Sequence, residues 1–123
     1  MISRVLLALT LLGGLALAQS PTPTPQLAKQ YFIAIFSKGP AWDESKPANE
    51  QTGFKQHSDN LRRLRTDKRI SIGGRYGEKG MVIVEARTEA EARALFAADV
   101  MLEKKIFALE LYEFRPFYRG SIE

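Results

Sequence analysis

A chain of 123 residues has room for one modest domain, and the absence of cysteine excludes disulfide stapling and thiol chemistry, so stability must come from core burial or oligomerisation. Eighteen lysines and arginines against fourteen acidic residues give a formal charge of +4. The basic residues gather in Arg62, Arg63, Arg65, Lys68 and Arg69, but Asp59 and Asp67 interrupt them and no stacking aromatics are interleaved. That pattern reads as a solvated helix face, and no nucleic-acid partner is expected.

The first eighteen residues have the layout of a secretory signal: Arg4 as the basic region, Val5 to Leu15 as the apolar stretch, and Ala16-Leu17-Ala18 as the small-x-small cleavage site. The apolar run is shorter than the roughly 20 residues of a spanning helix, so cleavage before Gln19 is expected over retention as an anchor. The remaining chain, of about 105 residues, would carry no stable membrane span and would be secreted or periplasmic. Residues 19–30 include Ser20-Pro21-Thr22-Pro23-Thr24-Pro25, whose alternating prolines predict an extended spacer outside any core.

The domain itself is expected over residues 31–118, with 119–123 as a tail. Tyr31 to Ser37 reads as a strand, with Tyr31, Ile33 and Ile35 on one face and Phe32, Ala34 and Phe36 on the other. Both faces are apolar, which calls for a sheet covered on both sides. A long polar loop from Lys38 to Asn49 carries the only tryptophan, Trp42. From Glu50 to Thr66 the spacing of Phe54, His57, Leu61 and Leu64 predicts a helix with one inward stripe. Arg69 to Tyr76 and Met81 to Arg87 read as two strands around a turn at Gly77-Glu78-Lys79-Gly80. Thr88 stands three residues before Glu91, a capping-box spacing that starts a second helix at Glu89, expected to run to about Ala98. Ile106 to Phe117 is the last strand.

The resulting order, β-α-β-β-α-β, matches the split βαβ, ferredoxin-like arrangement: an α+β fold with a four-stranded antiparallel sheet and both helices on one face. One chain of this length has no layer for the other face. A second copy is the simplest cover, so a homodimer with packed sheets is expected.

The single histidine lies on the apolar stripe of the first helix, and Asp99 falls seven, four and three residues after Ala92, Leu95 and Phe96, the stripe of the second. Both should point inward, where a carboxylate would orient the imidazole for general acid–base work. The plainer readings are a core histidine satisfied by a backbone carbonyl, and an aspartate that N-caps a short turn over Val100-Met101-Leu102-Glu103. Arg75 follows Gly73-Gly74, where missing side chains would let a ligand approach and a guanidinium hold a carboxylate; otherwise it is a solvent-facing strand residue. Trp42 either closes over a pocket or plugs the edge of the core. One histidine argues against a multi-histidine zinc or iron site within a subunit, and nothing beside His57 supports haem, so no metal and no cofactor is expected.

Phe36-Ser37-Lys38-Gly39-Pro40-Ala41-Trp42, then Glu50-Gln51 and Phe54-Lys55-Gln56-His57, resemble the YCII-related (YciI-like) domain family. Leu61 to Leu64, the Gly73-Gly74 strand, Gly80 to Val84, the Thr88 to Ala92 helix start and Asp99 follow in that family's order, so the resemblance spans Tyr31 to Pro116. It implies a dimeric α+β barrel with a histidine–aspartate pair at each subunit, here His57 and Asp99. It also implies activities such as eliminations or isomerisations on small ring lactones. The chain departs from the pattern where Asp99 is followed by Val100 instead of proline, and where Gly74-Arg75 replaces a glycine-proline on the second strand. The expected function is a cofactor-independent lyase or isomerase acting on a small carbonyl or lactone compound; the alternative is a non-catalytic ligand-binding or structural dimeric envelope module.

Overall fold

The computed structural model describes residue 10, residues 12–23, residue 25 and residues 27–122. The basic and most of the apolar part of the leader, and Thr24 and Gln26 of the spacer, lie outside the described residues. Among the described residues no helix is long and apolar enough to cross a membrane.

Strand β1 (Gln30–Lys38) is followed by a 3-10 turn (Ala48–Glu50) and helix α1 (Phe54–Thr66). The hairpin β2 (Ile70–Tyr76) and β3 (Lys79–Ala86) comes next, then α2 (Glu89–Ala94), a one-turn helix α3 (Val100–Glu103) and β4 (Phe107–Phe114). The sheet order is β2-β3-β1-β4 and every neighbouring pair is antiparallel. The protein is therefore α+β with an open four-stranded antiparallel sheet, compatible with a ferredoxin-like fold.

Three local expectations are corrected. The first helix begins at Phe54 and not at Glu50, because Gly53 adopts a left-handed φ of 83° that breaks the helix from the 3-10 turn before it. The second ends at Ala94 and not at Ala98, and Asp99 stands at the N-cap of the separate helix α3. The hairpin turn is two residues, Gly77-Glu78, since Tyr76 already pairs with Lys79. Thr88 does cap α2, accepting from Glu91 N–H at 3.1 Å. The carboxylate of Glu91 reaches back to Arg87 N–H (3.3 Å), one residue before the cap, and its other oxygen takes a hydrogen bond from Arg69 at 2.6 Å.

Phe32, Ala34 and Phe36 of β1 pack with Val82, Val84, Leu111, Leu64, Ala92 and Phe96 into one buried cluster between sheet and helices. Each large member contributes about 1.5–3 kcal/mol by leaving water. The opposite face carries Tyr31, Ile33 and Ile35, which pair across the sheet with Glu85, Ile83 and Met81 on one side and with Phe114, Tyr112 and Glu110 on the other. No element of the described chain covers that face. Tyr112 is 55% and Phe114 38% exposed. Of the basic residues gathered near α1, Arg62 pairs with Asp59, Arg63 with Asp67 and Arg69 with Glu91.

Candidate active site

On the helix side of the sheet, between α1, the loop after β1 and the β2–β3 hairpin, lies a cleft of about 720 Å³. Its walls are mostly apolar, with Phe36, Trp42, Phe54, Leu61 and Phe107 among them, and His57 and Arg75 are polar members.

His57 sits in the first turn of α1, held by its own N–H donating to Gly53 O at 2.9 Å. The residue is 6% exposed, and its ring lies edge-on to Phe36 (5.0 Å between centroids) and to Phe107 (5.1 Å). Nδ1 lies 2.5 Å from Oδ2 of Asp99, which is wholly buried. A carboxylate only accepts, so Nδ1 is the donor and the neutral ring keeps its lone pair on Nε2. Among the described residues Nε2 has no hydrogen-bond partner, and no buried side-chain nitrogen is left without one, so Nε2 is the ring atom that meets the cleft. This arrangement can exchange a proton at Nε2 while the rest of the ring stays fixed.

Both sequence readings of Asp99 hold together. Its Oδ1 accepts from Met101 N–H at 3.0 Å, which caps α3, while Oδ2 faces His57. The cap explains why an acidic residue is tolerated in the core: both oxygens are occupied. Asp99 does not line the cleft; it stands behind the imidazole. Trp42 lines the cleft and also stacks on Phe107, with centroids 5.7 Å apart and planes at 22°. Arg75 lines the cleft from β2, and among the described residues it has no ion-pair partner.

Three residues that the sequence reading quoted in its motifs without giving them a role shape the site. Gln56 brackets Asp99, its Nε2 donating to Ala98 O (2.9 Å) and its Oε1 accepting from Val100 N–H (3.0 Å). Gln51, 5% exposed, fastens the Trp42 loop by accepting from Asp43 N–H (3.1 Å) and donating to Asp43 O (2.7 Å) and Lys46 O (3.0 Å). Both glutamines bind backbone groups, which leave no mark on side-chain periodicity. Their places in the motif strings Glu50-Gln51 and Gln56-His57 were the available signal.

Lys38, the third, closes the mouth. Its Nζ donates to Glu44 at 3.3 Å and Glu78 at 3.5 Å and stands 5.4 Å from the Trp42 ring centre, tying the loop to the hairpin. The hydrogen bond to Glu44, with the charges of Glu44 and Glu78, holds this ammonium above the usual lysine value. On the same loop the Ser45 hydroxyl and N–H hold the Asp43 carboxyl below the usual carboxylate range. Among the described residues no three metal-ligating side chains come together.

A scan against models of known protein families finds no match to this chain, and a search of curated proteins finds none either.

Proposed function

We propose that the cleft is an acid–base site in which His57 Nε2 takes a proton from a carbon beside a carbonyl in a small carbonyl or lactone compound. The enzyme would be a cofactor-independent lyase or isomerase. The observation that carries this reading is the division of labour in one ring: Nδ1 is held by the buried Asp99 carboxylate and Nε2 opens on an apolar cleft. A sealed, purely structural histidine needs no such opening. Arg75 or nearby backbone N–H groups would hold the developing oxyanion.

The wider reading is an exported YCII-like domain that forms a homodimeric α+β barrel. The order of motifs from Phe36 to Asp99 supports the family. The apolar outer sheet face supports the dimer, because Tyr112 and Phe114 would otherwise stay in water beside the half-buried Ile33 and Ile35. The leader layout at residues 1–18 supports export to the periplasm or medium. The alternative, a non-catalytic dimeric envelope module, rests on that same apolar face and makes no use of the open Nε2.

The test is deuterium exchange at carbons next to a carbonyl, followed by proton NMR over a panel of small ketones and lactones. Exchange or isomerisation should occur with the wild type and vanish in His57→Gln. A panel wholly inert with folded protein sinks the catalytic reading. Light scattering after size exclusion should give twice the chain mass, and Ile33→Lys should return it to one; a wild-type monomer at high concentration sinks the dimer.

A further inference from the structure

Accepting the acid–base reading, the charges around the cleft say more about what enters it. Lys38, Arg75 and Lys79 border the cleft, and by strand register Lys38 and Arg75 are on the helix side of the sheet while Lys79, opposite Tyr76, is on the other. The two on the helix side differ in what they already hold. Lys38 is satisfied by Glu44 and Glu78, whereas Arg75 has no acidic partner among the described residues.

The register explains where Arg75 stands. Arg75 pairs with Gly80, and Gly73, its neighbour on the same face, pairs with Val82 of the core. The hairpin tip therefore presents a guanidinium flanked by two positions without side chains. A Cβ built at Gly80 would meet nothing within 4 Å, so the space beside Arg75 is open. Measured along the sheet, β2 is two strand spacings from β1, about 10 Å. His57 packs over β1 and β4 through Phe36 and Phe107. Between the two polar ends lie the apolar side chains of Leu61 and Val82.

We infer that the cleft takes a flat ring compound bearing a carboxylate, with the carboxylate on Arg75 and the reacting carbon at the opposite end beside His57. This assigns Arg75 to a permanent charge of the ligand, leaving backbone N–H groups for the oxyanion. A guanidinium fork matches a carboxylate in a bidentate fashion, and Arg75, exposed at the cleft and held by no acidic side chain among the described residues, is free to make that match. The ring fills the apolar span, and Trp42 bounds it at the mouth.

The test uses the full chain, labelled with ¹⁵N, and a matched pair of probes, naphthalene-2-carboxylate and naphthalene-2-carboxamide. The sole tryptophan gives one indole N–H resonance to follow. The acid should bind at least tenfold more tightly than the amide, and Arg75→Gln should erase that difference, chiefly by weakening the acid. Equal affinities in the wild type, a preference that survives in Arg75→Gln, or no binding of either probe each overturn the inference. The acid–base reading falls separately, by loss of the Nδ1–H tautomer at His57 in the same labelled sample.

Discussion

Replacing Asp99 tests the candidate site most directly, because its two oxygens do separable jobs. In Asp99→Ala the cap on α3 is lost, at about 1 kcal/mol, and Nδ1 of a buried ring is left without a partner, at about 1–3 kcal/mol. The expected destabilisation is therefore about 2–4 kcal/mol. Asp99→Asn behaves differently. Met101 N–H requires an oxygen at the Oδ1 position, so the amide NH₂ must face His57. The ring then accepts at Nδ1 and carries its proton on Nε2, so stability falls by only about 1 kcal/mol, the difference between a charged and a neutral hydrogen bond. With Nε2 occupied, proton abstraction should drop by about 10²–10⁴-fold, the usual share of a general base. Urea unfolding followed by Trp42 fluorescence measures the first quantity, and ¹⁵N shifts of the imidazole nitrogens measure the tautomer. Equal losses for the two variants, with Nδ1–H retained in Asp99→Asn, would refute this account of the pair.

Gln56→Ala, at an exposed position, should leave the fold intact but loosen the bracket on Asp99; the Nδ1–H resonance of His57 should broaden or move, while Asn60→Ala on the same helix should leave it in place. Gly39→Ala should cost about 1–3 kcal/mol, read by the same urea unfolding, because its Cβ would clash with the backbone oxygen of Lys105, where the two backbones meet. A Gly39→Ala protein of wild-type stability would mean that this contact gives way freely. For Lys38 the pKa is raised in the folded chain, so its contribution is fully present below the usual lysine value and is lost as pH rises through the raised one. Its ¹³Cε titration should come later than in unfolded chain, and Glu44→Gln should bring it earlier; an unmoved midpoint would separate Lys38 from Glu44.

Much of the fold was legible because it is written in periodicity. The alternation of Phe32, Ala34 and Phe36 against Ile33 and Ile35 is the division between core and outer sheet face. The stripe of His57, Leu61 and Leu64 is the inner side of α1. Boundaries were less legible where backbone conformation decides them: the left-handed φ of Gly53 breaks a helical pattern that side-chain spacing carries straight through. The meeting of His57 and Asp99 could be argued from two inward stripes, but its distance depends on the break after Ala94 that turns Asp99 into a cap. Gln51 and Gln56 were illegible for a simpler reason. Their partners are peptide groups, present at every position and distinguished only once the chain is folded.

The position of β1 in the sheet also governs when the site can exist. β1 pairs along most of its length with β4, from Tyr31 opposite Phe114 to Lys38 opposite Phe107. These partners stand near opposite ends of the domain, so their closure is a long-range step with a large entropic cost. A ribosome-bound chain that has not yet released Phe107 has neither the final strand nor the ring against which Trp42 and His57 rest. The chain thus stays without a finished sheet, and without the aromatic ring beneath the site, until Phe107 to Phe114 has been made and can close on β1.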